Sequence, residues 1–260
     1  MKKNFEHKKS LGQHFLKDDG IAMDIVEALK SPVQQVIEVG PGLGILTKFL
    51  YKKYHPNLTA VDVDDRLAEI IPQKFEGIKF IHQDILKVDF EKYYPNEKVS
   101  VIGNFPYNIS TEIVFRVIEQ RHQVVEMVGM FQKEVALRLA SKHGNKVFGV
   151  TSIFSQAYFK VEYLFDVPPH FFDPPPKVNS GVVRFTRLEN QIEILDEKSF
   201  FRAVKAGFSQ RRKTLRNSLK AFTNTDDINS ATLDKRAEQL SVEEWINLAN
   251  EIFNQKKLIV

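Results

Sequence analysis

The 260 residues contain no cysteine, and that single absence removes disulfides, thiolate nucleophiles and cysteine-based zinc sites. Nor is there an apolar run near the roughly 20 residues that a membrane-spanning helix needs. The lysine-rich start is not followed by a hydrophobic signal core, so a cytoplasmic protein with no membrane attachment is expected. The histidines at 7, 14, 55, 82, 122, 143 and 170 are scattered without metal-ligand spacing, and no metal is predicted. Internal repeats and low-complexity tracts are also missing. What remains, 43% hydrophobic and 27% charged residues, is the composition of an ordinary globular protein. The length suits one large domain and a smaller one.

Acid is scarce in two places. Lys2 to Lys17 holds five lysines and two histidines against Glu6, and Lys198 to Lys220 holds eight basic residues and no acidic one. A single run of this kind is commonly a solvated face. Two of them, at the ends of a catalytic domain, point to a nucleic-acid partner, in keeping with the formal net charge of +4.

Between the runs, short β-rich segments alternate with amphipathic ones, the pattern of a parallel sheet flanked by helices. QQVIEV (34–39), LTAVDV (58–63), IKFIH (78–82), VSVIGN (99–104) and VVEMVGMF (124–131) read as strands. Apolar residues at three- and four-residue spacing predict helices over 47–54, 67–74, 111–120 and 133–140. FKVEYLFDV (159–167) and SGVVRFT (180–186) follow without a helix between them, which predicts an antiparallel addition at the sheet edge. The fold class is therefore α/β, a doubly wound Rossmann-like sheet with an antiparallel edge. A catalytic domain is expected over residues 1–188, and a small all-helical one over 189–260, where Ser241 and Glu244 stand in capping-box spacing.

EVGPGLGILT (38–47) follows an apolar strand and opens an amphipathic helix. Gly40, Gly42 and Gly44 allow a tight turn and close approach to a ligand. A pyrophosphate fingerprint is GxGxxG, but position 45 is Ile, and the GxGxG run is the arrangement of methyltransferases. This disfavours a nicotinamide-dependent oxidoreductase and favours S-adenosylmethionine, with S-adenosylhomocysteine as product. Asp62, ending the second strand, can accept from both ribose hydroxyls; Asp64 is the substitute candidate. Asp84, past the third strand, can accept from an adenine amino group. Glu38 is expected to steady the glycine loop.

GNFPYNIS (103–110), after the fourth strand, has the NPPY form of amino-methylating enzymes with Phe in the second position. An exocyclic amino group is a poor nucleophile because its lone pair is delocalised into the ring. The Asn104 side-chain oxygen and the Phe105 carbonyl can accept its hydrogens and favour lone-pair density on nitrogen. Pro106 fixes the direction of that carbonyl, and Tyr107 offers a face to an unstacked base.

LGQHFL (11–16), EVGPGLGILT, GNFPYNIS, FFDPPPKVNSGVVRF (171–185) and FSQRRKTLRNSL (208–219), in that order along nearly the whole chain, resemble the motifs of the small-subunit ribosomal RNA adenine dimethyltransferase family. The resemblance implies a class I methyltransferase that converts two adjacent adenines near the 3′ end of that RNA to dimethyladenosines, within an assembling subunit and as a monomer. It implies that His14 and Leu16 border the cofactor with Gly40, Asp62, Asp84 and Asn104, and that Phe172 is a second stacking face opposite Tyr107. His14 stands where the family often has Asn, and Phe105 where it often has Leu. In FSQRRKTLRNSL, Leu215 and Leu219 share a helix face while Arg211, Arg212, Lys213 and Arg216 offer charge to phosphates. Two rival functions stand beside this one: a large-subunit RNA adenine methyltransferase of the macrolide-resistance type, and an RNA-binding assembly factor with secondary catalysis.

Overall fold

A computed structural model describes residues 14–31, 34–190, 192–228 and 231–258. The basic run before His14 and the first three residues of LGQHFL lie outside them. The chain forms two compact units, one of residues 1–136 with 160–187 and one of residues 137–159 with 188–260.

The first unit begins with β1 (Phe15–Leu16), α1 (Asp19–Glu27), β2 (Gln35–Val39), α2 (Thr47–Tyr54), β3 (Leu58–Asp62), α3 (Asp65–Lys74) and β4 (Lys79–His82). It continues through α4 (Phe90–Tyr93), β5 (Val99–Asn104), α5 (Ser110–Glu119) and β6 (Val124–Gln132), from which α6 (Lys133–Leu139) runs on. Strands β2, β3 and β5 are almost continuously apolar and buried, as strands covered on both faces must be. Ile25, Leu50, Leu67 and Ile71 from the helices pack in one core cluster with Leu58, Ile102 and Val128 of the sheet. Asp18 caps α1 and Asp64 caps α3, each carboxylate accepting a backbone N–H of the first turn.

The chain returns to this unit as β7 (Phe159–Val167), β8 (Phe172–Asp173) and β9 (Ser180–Arg187), after α7 (Val150–Gln156). The sheet order is β4-β3-β2-β5-β6-β9-β7. Neighbours from β4 to β6 are parallel, whereas β9 runs antiparallel to β6, from Glu126 opposite Thr186 to Gln132 opposite Ser180. The later strand is thus the inner one, with β7 beyond it. A separate ladder pairs β1 with β8, Leu16 opposite Phe172.

The second unit holds α7, α8 (Glu197–Ser209), α9 (Leu215–Ser218) and α10 (Val242–Leu258). Ser241 and Glu244 form the expected reciprocal cap, the Glu244 N–H donating to Ser241 Oγ at 3.1 Å and the Ser241 N–H to the Glu244 carboxylate at 2.8 Å. This unit departs from the expected boundary, because residues 137–159 join it rather than the sheet. The physical reason lies in aromatic packing: Phe154 of α7 meets Phe200 and Phe201 of α8 at ring distances of 5.8 and 4.2 Å.

Candidate functional site

In a doubly wound sheet the ligand crevice opens where strand order reverses. Here that place is β2, which has β3 on one side and β5 on the other. Register decides what meets there. Glu38 lies opposite Ile102, so the residues two further on, Gly40 and Asn104, leave the sheet side by side. On the other flank Val39 lies opposite Val61, and the Gly40 N–H donates to the Val61 carbonyl at 3.0 Å, so Asp62 emerges beside the glycine loop. Asp62 in turn lies opposite His82, which brings Asp84 into the same row of strand ends.

These ends enclose a crevice of about 230 Å³. Its walls hold His14, Gly40, Asp62, Asp84 and the whole run from Asn104 to Tyr107. Gly40 and Gly42 have φ of +71° and +52°, a left-handed backbone that side chains disfavour. Asp62 Oδ1 accepts the Asp64 N–H at 2.9 Å, and Asp84 Oδ1 accepts the Leu86 N–H at 3.0 Å, so both carboxylates are held from behind. Burial raises the Asp62 carboxyl above the ordinary carboxylate value, with backbone N–H groups of Asp64 and Val63 opposing it. Val63, Leu86 and Ile109 give the crevice apolar walls. Sequence reading passed over these three, although each directly follows or neighbours a polar residue at a strand end.

Asp64 is not interchangeable with Asp62. Its side chain is wholly buried, caps α3 and pairs with Arg66 at 2.6 Å. The extended geometry assumed for 62–64 ends at this cap.

In the acceptor motif, Asn104 Nδ2 donates to the His14 carbonyl at 2.9 Å, which keeps Oδ1 as an acceptor. The following turn closes through the Ile109 N–H on the Pro106 carbonyl at 3.1 Å, so it does not consume the Phe105 carbonyl. The Phe105 ring is 1% exposed and meets Phe131 edge-on at 5.4 Å. It fits because Gly129 carries no Cβ, which would collide with the ring. The larger residue at this position therefore spends its volume in the core. The hydroxyls of Tyr107 and Ser180 share a hydrogen bond at 2.6 Å.

Leu16 lies along a second crevice of about 240 Å³ on the other side of the glycine loop, with Lys17, Glu38 and Asp173. Glu38 is 1% exposed and its Oε2 has no hydrogen-bond partner among the described residues. Burial pushes its carboxyl up to about 8, helped by the Asp62 charge and opposed by Thr47.

Two expectations are corrected. Phe172 does not line the acceptor crevice: its side chain is 1% exposed and lies in the main core cluster, so it presents no open face opposite Tyr107. The pairing of Leu16 with Phe172 carries that residue into the core. The basic segment, too, is not one helix. Helix α8 stops at Ser209, a turn carries 210–213, and Thr214 pairs with Arg236 before α9 begins. Leu215 and Leu219 are buried as expected. Arg211, however, donates to the carbonyls of Lys146 and Phe148 at 3.0 and 2.8 Å, and Arg216 pairs with Asp234 at 3.2 Å. Arg212 and Lys213 are exposed at the tip.

The family model for ribosomal RNA adenine dimethylase matches residues 4–254. The chain belongs to that family. Among curated relatives of this dimethylase, the ribosomal RNA small subunit methyltransferase A of Cytophaga hutchinsonii is 51% identical, covering 94% of this chain and 96% of its own length. That of Flavobacterium johnsoniae is 47% identical, covering 94% and 95%. Among solved structures, a dimethyladenosine transferase from Plasmodium falciparum is 25% identical over 94% of this chain and 98% of its own, with a TM-score of 0.77. The 23S rRNA methyltransferase ErmE, 22% identical over 92% and 99%, superposes with a TM-score of 0.72, a likeness of fold alone. As a dimethylase of this family the chain is a methyltransferase that uses S-adenosylmethionine. Among the described residues no His, Cys, Asp and Glu cluster could hold a metal ion, and no helix is long and apolar enough to cross a membrane.

Proposed function

We propose that this dimethylase transfers methyl groups from S-adenosylmethionine to the exocyclic amino nitrogens of two adjacent adenines near the 3′ end of small-subunit ribosomal RNA, during ribosome assembly. The observation that carries this reading is the strand register that brings Gly40, Asp62, Asp84 and Asn104 to one crevice. The relatives named for the small subunit, at 51% and 47% identity, support the choice of RNA.

The crevice suits the cofactor: two carboxylates held from behind for hydroxyl and amino donors, apolar walls for a flat base, and bare backbone at Gly40 and Gly42. Asp62 would take the ribose, Asp84 the adenine amino group, and His14, Leu16 and Gly40 would border the amino-acid end. The bound cofactor supplies a methyl group made electrophilic by a sulfonium. Asn104 Oδ1 and the Phe105 carbonyl accept hydrogens from the target amino group, which turns its lone pair toward attack. No strong base is needed, because the proton leaves after the methyl arrives. Rate enhancement then comes mainly from positioning. Tyr107 stacks the flipped adenine. Arg212 and Lys213 meet phosphates, an interaction that weakens with salt and carries no sequence information. We take the enzyme to act as a monomer in the cytoplasm, where it meets the assembling subunit.

Labelled S-adenosylmethionine incubated with undermethylated small subunits, and in parallel with large-subunit RNA, tests this by mass spectrometry of the nucleosides. Dimethyladenosine confined to the small-subunit sample is the expected result. Label only in large-subunit RNA would overturn it, and label in neither would leave an assembly factor as the better reading.

A further inference from the structure

The imidazole of His14 makes contacts that cofactor binding does not require. Its ring stacks on Tyr107, with centroids 5.4 Å apart and planes inclined by 28°. Its Nδ1–H donates to the Pro174 carbonyl at 2.8 Å. The carbonyl of the same residue receives Asn104 Nδ2. One residue thus touches the hydrogen acceptor, the stacking tyrosine and the proline-rich loop, although these lie 90 or more positions away in sequence. Tyr107 has a second anchor at the Ser180 hydroxyl, on the strand that follows the same loop.

A tyrosine ring at the mouth of a crevice pivots about its side-chain torsions unless something bears on its face. Here one anchor is a hydroxyl hydrogen bond at the rim of the ring, which sets where the oxygen goes. The other is a flat ring against the face, which sets the plane. The His14 ring is itself held by the Pro174 carbonyl, so its plane is not free either. An asparagine at position 14 would preserve the backbone carbonyl that Asn104 uses and would lack the ring.

We propose that His14 is a positioning residue for the methyl acceptor: its imidazole covers one face of Tyr107, fixes the plane of that ring, and leaves the adenine a single face on which to stack. This rests on the reading of the crevice as the methyl-acceptor site. It assigns the side chain to the base rather than to the cofactor, while the His14 backbone stays at the cofactor's border. Because a misplacement of about 1 Å can cost about 100-fold in rate, a lost brace is felt in transfer and not in cofactor affinity.

The test compares His14→Ala, His14→Asn and His14→Phe, alone and in a Tyr107→Leu background, with S-adenosylhomocysteine affinity by calorimetry as both binding and folding control. The acceptor is undermethylated small subunits, and a 2-aminopurine at the target position reports stacking. His14→Ala and His14→Asn are expected to keep cofactor affinity within about threefold while kcat falls roughly 10-fold or more, with reduced quenching of the 2-aminopurine. His14→Phe, which restores a flat ring, is expected to recover most of the quenching. In the Tyr107→Leu background the same changes should add little, since residues acting through one partner are not additive. Cofactor affinity falling in step with kcat would overturn the proposal, as would losses that simply multiply in the double variants. If Tyr107→Leu itself turned over normally, the acceptor-site reading would fail first, and that outcome is distinct from a failure of His14 alone.

Discussion

The two ends of a side-chain amide differ in chemistry and hardly in shape, so an asparagine that must accept hydrogens needs a partner that selects its orientation. The His14 carbonyl does this for Asn104 by taking Nδ2 at 2.9 Å. Asn104→Ala removes the acceptor and one hydrogen bond near the crevice wall. It should keep the fold and most cofactor affinity while transfer falls about 100-fold or more, as when one preorganised polar contact is deleted elsewhere. Calorimetry and methyl transfer on the same preparation check this, and normal turnover would refute the role of Asn104. Glu38 makes a prediction of a different kind. Its carboxyl holds a proton up to about 8 in the folded chain, against an ordinary value of 4.5. The native state therefore binds more protons than the unfolded one between those values, and this group's contribution to stability falls as pH rises through that window. Glu38→Gln should flatten that slope, so the difference in Tm between variant and parent should move in the variant's favour from pH 5 to pH 8. Parallel Tm curves would mean that Glu38 is ionised in the fold. At this scale the sequence was readable where register alone decides, as for Gly40, Asp62, Asp84 and Asn104. It misled where a local cap or a core position decides instead, as for Asp64 and Phe172.

The elements were legible wherever their apolar period was long: β5 spans Val99–Asn104 and α2 spans Thr47–Tyr54, both as read. Helices α1 and α7 passed unnoticed, being short and flanked by segments without a clear period. The basic segment failed for another reason. Its leucine spacing is helical, but the Thr214 pairing with Arg236 and the guanidinium of Arg211 on two carbonyls hold 210–214 in a turn. Those are contacts across the sequence, invisible to periodicity. The turn separates the arginines by task. Arg211→Ala should cost about 1–2 kcal/mol of stability in the C-terminal unit, from loss of charged hydrogen bonds, and leave the salt dependence of RNA binding nearly unchanged. Arg212→Ala or Lys213→Ala should leave Tm in place and reduce the slope of log affinity against log salt by about one each. Binding titrations at several salt concentrations, paired with thermal melts, would expose an inverted pattern.

For the whole molecule, the expected division after residue 188 matches where the chain leaves the sheet for the last time, but not the excursion of 137–159. Nothing in the composition of that stretch marks it as belonging elsewhere; its partners, Phe200 and Phe201, come more than 40 residues later. A truncation ending at Arg187 should therefore not yield a clean catalytic unit. It would strand Phe154, which is fully buried in the intact protein, along with the rest of α7. We expect that fragment to aggregate on size-exclusion chromatography, whereas one in which a short polar linker also replaces 137–159 should stay dispersed. Equal behaviour of the two would show that α7 needs no cover.

The antiparallel place of β9 between β6 and β7 has a consequence for the newborn chain. Emerging from its N-terminal end, the polypeptide completes β6, a nine-residue and almost wholly apolar strand, with one side of its ladder open. The strand that closes that side begins only at Ser180, after the detour through the other unit and after β7. For the time that about 50 residues take to synthesise, roughly 2.5–10 s at 5–20 residues per second, an unpaired edge of the kind that templates association lies uncovered. An enzyme that serves the ribosome would then be most vulnerable, and most in need of a chaperone, while still attached to one.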